Sequence, residues 1–257
     1  MTQKRVIRAV GKGIVYGIGF GAGAYAAYAG TTWARYGRVS LPRAGDDQDP
    51  LLDRFMPSCE IAERHHVRVA APPDVTFAAA CDVDLQRSRL IQAILRTREL
   101  VLGSRPDRIE RPRGLLAFTK ALGWGVLADV PGREVVMGAV TRPWKANVTF
   151  RAVPPADFAT FDEPNYVKIA WTLRVDAKAA HESVVRTETR IVATDPGARE
   201  RFRPYWALAS PGILLIRRIA LGLVKAEAER RAKRQDTIAA SADRFDLASA
   251  GDLDPQC

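Results

Sequence analysis

The chain is short of the residues that carry recognisable chemistry. In 257 residues it has only three cysteines, Cys59, Cys81 and Cys257, and three histidines, His65, His66 and His181. A disulfide framework or a zinc site needs closer, paired ligands than this odd and widely spaced set provides. Cys81 ends an alanine-rich apolar run and is expected to act as a small buried hydrophobe. His65 and His66 are adjacent in an expected strand, so they point to opposite faces, and His181 falls in a turn. There is no metal constellation, no nucleophile elbow and no phosphate loop, so neither a metal nor a cofactor is expected. No catalytic residue is assigned.

Acids are in the minority, 29 Asp and Glu against 39 Lys and Arg, for a net charge of +10. Between Asp195 and Arg234 there are ten Lys/Arg and four Asp/Glu. Basic surfaces attract anionic lipid or nucleic acid. Here acids are interleaved along one expected helix and no nucleic-acid motif accompanies it, which places nucleic acid last among partners. A solvated charged helix face accounts for the same residues equally well.

Charge is missing altogether from one stretch, Gly13 to Thr32, with Lys4, Arg5, Arg8 and Lys12 before it and Arg35, Arg38 and Arg43 after it. Such a run, at about 1.5 Å per residue, spans the roughly 30 Å core of a bilayer. Residues 1–12 are therefore read as a basic flank, 13–34 as a transmembrane or signal-like helix and 35–59 as a linker. Gly13, Gly17 and Gly21 form one small-residue stripe, and Gly19, Gly23 and Ala27 another, so the helix can bring two copies together as a homodimer. Two rival readings remain. A cleaved signal peptide would end at Ala27-Tyr28-Ala29. A dinucleotide turn at Gly19-x-Gly21-x-x-Ala24 lacks the second strand it needs, because Arg35 to Pro50 is polar and proline-punctuated. The basic flank weakly favours an inside amino terminus, giving a single-pass protein of the inner or plasma membrane with its main domain outside the cytoplasm.

At 47% hydrophobic the chain can build a real core, expected over residues 60–234, with 235–257 a disordered acidic tail. Ile61 to Val69 alternates as a strand, and Pro72-Pro73-Asp74 opens a helix to about Cys81. A second helix is expected from about Leu85 to Leu100, and Gly114 to Leu122 is either a short helix or an irregular lid. Period-two strands follow at Trp124–Val130 and Arg133–Thr141, around a Pro131-Gly132 turn, and at Asn147–Val153. The cleanest are Tyr166–Asp176 and its neighbour Glu182–Thr194, one-sided enough to imply an antiparallel sheet with one face covered. Pro196 to about Arg234 is expected as a long covering helix, bent at Pro211-Gly212, with Tyr205, Leu208, Leu215, Ile219 and Leu223 recurring on one side and Arg217 and Arg218 elsewhere. A second membrane span at Ile213–Val224 is too short and too charged.

That order of elements, with Val67-Arg68-Val69-Ala70-Ala71-Pro72-Pro73-Asp74-Val75 near the start and Arg190 to Arg218 near the end, resembles the START-like (SRPBCC) superfamily. The resemblance covers about Glu60 to Arg231 and implies an α+β helix-grip fold, an antiparallel sheet wrapped around a long C-terminal helix. It also implies an apolar or amphipathic ligand held between the two, as in lipid-transfer domains and polyketide cyclases. On that basis the expected ligand-binding residues are Val167, Ile169, Trp171 and Leu173, with Val136 or Met137 beside them. Thr187 and Thr189 join if their face is the covered one, and Trp144 and Tyr205 would frame the mouth, with Trp206 either there or at a membrane interface. Plain core packing would need the same apolar residues. Glu188, Arg190 and Arg186 share the opposite face, where an exposed charged ladder is expected, with Glu134 able to pair across the sheet.

Three functions follow from different classes. One is a membrane-tethered module binding a hydrophobic, lipid-like small molecule. Another is a cyclase- or hydrolase-like enzyme using Glu134, Glu188, Asp129 or a histidine as acid–base group. The last is a membrane scaffold dimerising through its glycine stripes.

Overall fold

A computed structural model describes the backbone of residues 23–38, 48–103 and 112–250, with side chains for the same residues except 239–240 and 242–250. Residues 23–35 are helical (α1) and largely exposed. The rest of the uncharged run, 13–22, lies outside the described residues and with it Gly13, Gly17, Gly19 and Gly21 of the glycine stripes, whereas Gly23 and Ala27 are on α1. The final residues of the tail, 251–257, lie outside them as well.

Local chemistry sets each boundary. The Asp49 carboxylate accepts the Leu52 amide at 2.9 Å and starts α2, Pro50–Asp53. After β1, Ile61–Val69, proline at the first helical position opens α3, Pro73–Asp82. The single helix expected from Leu85 is divided, because Ser88 caps a new one by accepting the Ile91 amide at 3.3 Å. A 3-10 turn, Leu85–Arg87, therefore precedes α4, Arg89–Leu102, which Gly103 ends at φ 64°. α5, Leu115–Ala121, leads into β2, Gly125–Val130, and β3, Glu134–Thr141, joined through Gly132 at φ 73°. The strand expected at Asn147–Val153 shortens to β4, Phe150–Arg151, followed by α6, Pro155–Phe158. The two longest strands are β5, Val167–Ala179, and β6, Glu182–Ala193. Asp195 then accepts the Ala198 amide at 2.9 Å at the start of α7, Pro196–Ala250. That helix runs through Pro204 and Pro211 and continues past the end expected near Arg234.

All strand pairings are antiparallel, in the order β1-β6-β5-β3-β2 with β4 beside β3. This six-stranded sheet with its long C-terminal helix is an α+β architecture that fits a helix grip. On the inner face, Val69, Val135, Met137, Leu173, Val175 and Val185 pack with Val75 and Ala79 of α3 and Leu221, Val224 and Ala228 of α7. Nearer the start of α7, Phe202 and Trp206 pack on Ile61, Val167 and Ile191.

The outer face is covered too, contrary to the one-sided sheet expected. Leu52, Phe55 and Met56 from the α2 segment and Phe158 from α6 close over Leu127, Val136, Val140 and Ala170. Close approach here requires Gly138, whose Cβ would stand 2.5 Å from Leu127 Cδ1 and 2.8 Å from the Phe158 ring.

The apolar row expected to face the sheet from α7 does so only in part, through Tyr205 and Leu223. Leu208 and Leu215 are exposed, 59% and 41%. The inward row is Phe202, Trp206, Ser210, Ile213, Arg217, Leu221, Val224 and Ala228, so Arg217 lies on the buried side and not elsewhere on the cylinder. By length and composition Pro196–Ile238 could cross a membrane, but the inward row makes it the cover of the sheet.

The end of α1 is fastened to this cover. Arg203 donates to the Trp33 carbonyl from Nε and Nη2, at 3.1 and 2.8 Å, and its guanidinium lies 4.5 Å from the Trp33 ring. The Tyr36 hydroxyl donates to Glu60 at 2.7 Å, and its ring meets Phe202 edge-on at 6.2 Å. Burial, with the Glu60 carboxylate beside it, pushes the Tyr36 phenol well above its ordinary pKa.

Candidate functional site

Alternation on the strands brings a polar group together beneath α7. On β1, Glu63 and His65 share the inner face with Ile61, Val67 and Val69. Register sets Glu63 opposite Thr189 and His65 opposite Thr187 on β6, and Thr189 opposite Trp171 on β5. Trp171 stands opposite Met137 on β3 and meets Trp124 edge-on at 6.5 Å. Trp124 in turn lies 5.0 Å from the Phe150 ring, so the far wall is aromatic.

Arg217 of α7 belongs to the same group. Part of its side chain reaches solvent, but Nη1 is sealed off and has no hydrogen-bond partner. Burial lowers its pKa to about 10, with Glu63 acting against the fall. Burial raises the Glu63 pKa, and Arg217, Arg218 and Arg64 oppose that rise. Burial also lowers the His65 pKa, with Arg217 and Arg218 adding to the effect, so the imidazole is neutral at pH 7. His65 Nε2 lies 4.0 Å from the Glu63 carboxylate and has no hydrogen-bond partner.

Although α7 covers this face, Ile169, Trp171, Thr187, Glu63 and His65 remain only half-buried. Solvent therefore reaches between helix and sheet at the middle of the face, while Val167 and Leu173 on either side are sealed at 0% and 3% exposure. At one end Arg98 of α4 donates to the Tyr205 hydroxyl at 3.3 Å and to the Pro143 carbonyl at 3.4 Å, joining α4, α7 and the segment after β3.

The expected ligand-binding residues divide accordingly. Ile169, Trp171 and Thr187 line the half-open middle of the inner face, and Val167, Leu173 and Thr189 are sealed, at 0%, 3% and 3% exposure. Met137 shares the inner face, whereas Val136 belongs to the outer core. Trp144 and Tyr205 pack on the Phe202 cluster, and Trp206, 4% exposed, is core and neither rims a mouth nor meets an interface.

The acid–base candidates mostly fall elsewhere. Asp129, His66 and His181 are exposed, and Glu134 and Glu188 are on the outer face. Only His65 shares the inner face. Glu63 and Arg217 were missed, although Glu63 has the same strand parity as Ile61 and Val67, and Arg217 sits four residues from both Ile213 and Leu221.

The outer charges form a buried network and not the exposed ladder expected. Arg190 Nε donates to Glu188 at 2.7 Å and Nη1 to the Met56 carbonyl at 2.7 Å, with Asp53 of α2 as a further partner. Arg64 reaches the same Glu188 oxygen at 2.9 Å. Arg174 and Arg186 converge on Asp176, each at 2.8 Å. Glu134 does not form the expected contact with the arginines of β6 but shares a hydrogen bond with Asp49, and burial with that neighbour raises its pKa to about 7.

No family model and no curated protein matches the chain. Solved structures do. A protein from Chromobacterium violaceum is 13% identical over 65% of this chain and 96% of its own, with a TM-score of 0.28. A hypothetical protein from Helicobacter pylori is 7% identical over 74% of this chain and 99% of its own, with a TM-score of 0.37. An aromatase/cyclase from a Streptomyces species is 16% identical over 66% of this chain and 94% of its own, with a TM-score of 0.26. These likenesses bring no activity and no site residue to this chain.

Proposed function

We propose that this protein is a membrane-tethered module that binds a hydrophobic or amphipathic small molecule between the inner face of its sheet and α7. The observation that carries the reading is the half-exposed patch of Ile169, Trp171 and Thr187 on a face that a helix covers. Apolar side chains left partly hydrated under a cover gain free energy when a ligand displaces that water. Tethering is supported by the uncharged run from Gly13 to Thr32 and its basic flanks. Exposed Leu100 and Val101 of α4, at 83% and 78%, and Trp33 of α1 add apolar surface suited to lipid contact.

The test is native mass spectrometry of the full chain taken from its own membranes in a non-ionic detergent, compared with the denatured chain. An adduct of defined mass that disappears on denaturation is expected. A clean apo mass, together with no uptake from a total lipid extract, would remove the reading. Ile169→Trp fills the open middle of the face and is expected to abolish uptake while moving the melting temperature by only a few degrees. Tethering predicts that the chain stays with membranes through alkaline carbonate washing; release into the wash contradicts it.

Catalysis is the second reading, favoured by the proximity of Glu63 and His65 inside the same space. It requires that His65→Gln abolish turnover of a bound ligand while leaving its binding intact.

A further inference from the structure

Six of the eight inward positions of α7 are apolar; the others are Ser210, whose hydroxyl lies 3.5 Å from that of Tyr28, and Arg217. A guanidinium placed between Ile213 and Leu221 carries a desolvation cost that apolar packing alone would not impose. Among the described residues it has no carboxylate within ion-pair distance, and its Nη1 is a sealed donor with nothing to receive it. Its charge acts on Glu63 and on His65, whose Nε2 is unpartnered, and these stand in register with Thr189 and Thr187, with Trp171 next. A charged donor, a neutral imidazole and the Thr187 hydroxyl thus share the half-open part of the face, and the apolar wall of Trp171 and Ile169 continues from them.

We infer that this group is a head-group site, and that the molecule bound is a monoanionic amphiphile whose carboxylate meets Arg217 while its apolar portion lies along Trp171 and Ile169. The inference rests on the ligand-binding reading above. Charge favours one negative charge over two. Arg218 is exposed and solvated, so the charge that a ligand meets under the helix is the single positive charge of Arg217. A monoanion balances it; a phosphate dianion beside Glu63 would leave unpaired negative charge in a poorly solvated place. Geometry favours a planar acid as well, because the guanidinium fork matches the two oxygens of a carboxylate.

The full chain in discs of zwitterionic lipid, titrated calorimetrically against empty discs, separates the possibilities with three water-soluble probes. Sodium octanoate is expected to bind at least about tenfold more tightly than 1-octanol, the margin of one charge-assisted contact, and more tightly than octyl phosphate. Arg217→Met keeps the length and apolar bulk of the side chain and is expected to bring octanoate down to the octanol level while leaving octanol unchanged. Arg217→Lys keeps the charge without the fork and is expected to fall between the two, so it serves if the methionine variant does not fold. Equal binding of octanoate and octanol by the wild type, or a preference that survives Arg217→Met, overturns the head-group site and leaves ligand binding standing. Octyl phosphate binding more tightly than octanoate overturns the monoanion. Failure of both octanoate and octanol to bind overturns the site and the ligand-binding reading together.

Discussion

Arg190→Met is expected to destabilise the fold by about 3–5 kcal/mol, the cost of leaving one half of a buried ion pair behind. Arg190 is 4% exposed and Glu188 5%, so neither can turn to water when its partner is removed. In the variant, Glu188 keeps only Arg64 among the ion-pair partners described above, and the Met56 carbonyl loses its donor. α2 loses the contact through Asp53 that holds it on the outer face, together with the Leu52 side chain that it buries there. Urea unfolding followed by circular dichroism measures the effect, which corresponds to a fall of roughly 10 °C or more in melting temperature. The double variant Arg190→Met, Glu188→Met removes both charges and is expected to recover more than half of the loss. A single variant that lost less than about 1 kcal/mol would show that the network is solvated and that the outer face is not closed.

Glu134→Gln is expected to stabilise the protein above pH 7. The folded state raises the Glu134 pKa from 4.5 to about 7, chiefly by burial and then by the Asp49 carboxylate, against the pull of Arg174 and Arg133. Folded protein therefore holds this proton more tightly than the unfolded chain does. The resulting stability is present at pH 4, is lost as pH rises from about 4.5 through 7, and stays lost above that. At about 1.4 kcal/mol per pKa unit the loss between 4.5 and about 7 is at most about 3.5 kcal/mol. Glutamine donates to Asp49 as the protonated acid does and never ionises. Stability of wild type and variant should match near pH 4 and diverge by about 2–3 kcal/mol at pH 8, with the variant higher. Taking the difference between the two removes the other carboxylates, such as Asp195 and Glu229, whose lowered pKa values make the protein less stable at acid pH. A gap that did not change between pH 4 and 8 would mean that Glu134 ionises freely at both ends of the range.

The strands were legible because alternation over eight or more residues has one reading: Ile61–Val69 has the ends expected of it, and β5 and β6 differ only at their ends. α7 was legible as a helix but only in part in its phase. Its outward side carries Leu208 and Leu215 among arginines and small residues, so apolar residues at helical spacing do not by themselves mark the inward row. The charged row of β6 was read as solvated because nothing local in sequence says that α2, more than 130 residues earlier, folds over it. Thr187 and Thr189 could be placed on the side of Ile191 from spacing alone. Glu63 and Arg217 could not be joined from sequence, since each acquires its meaning from the other across more than 150 residues.

The attachment of α1 to α7 has a mechanical consequence. Trp33 is gripped by Arg203, and Tyr36 is wedged between Glu60 and Phe202. A pull or tilt applied at the amino-terminal helix therefore loads α7 directly, without first travelling through residues 39–47. The helix that roofs the sheet is thus one arm on which torque from α1 acts, and Glu60, bonded through its amide to the Ile191 carbonyl of β6, is the other, so strain at that end of the chain reaches roof and sheet together.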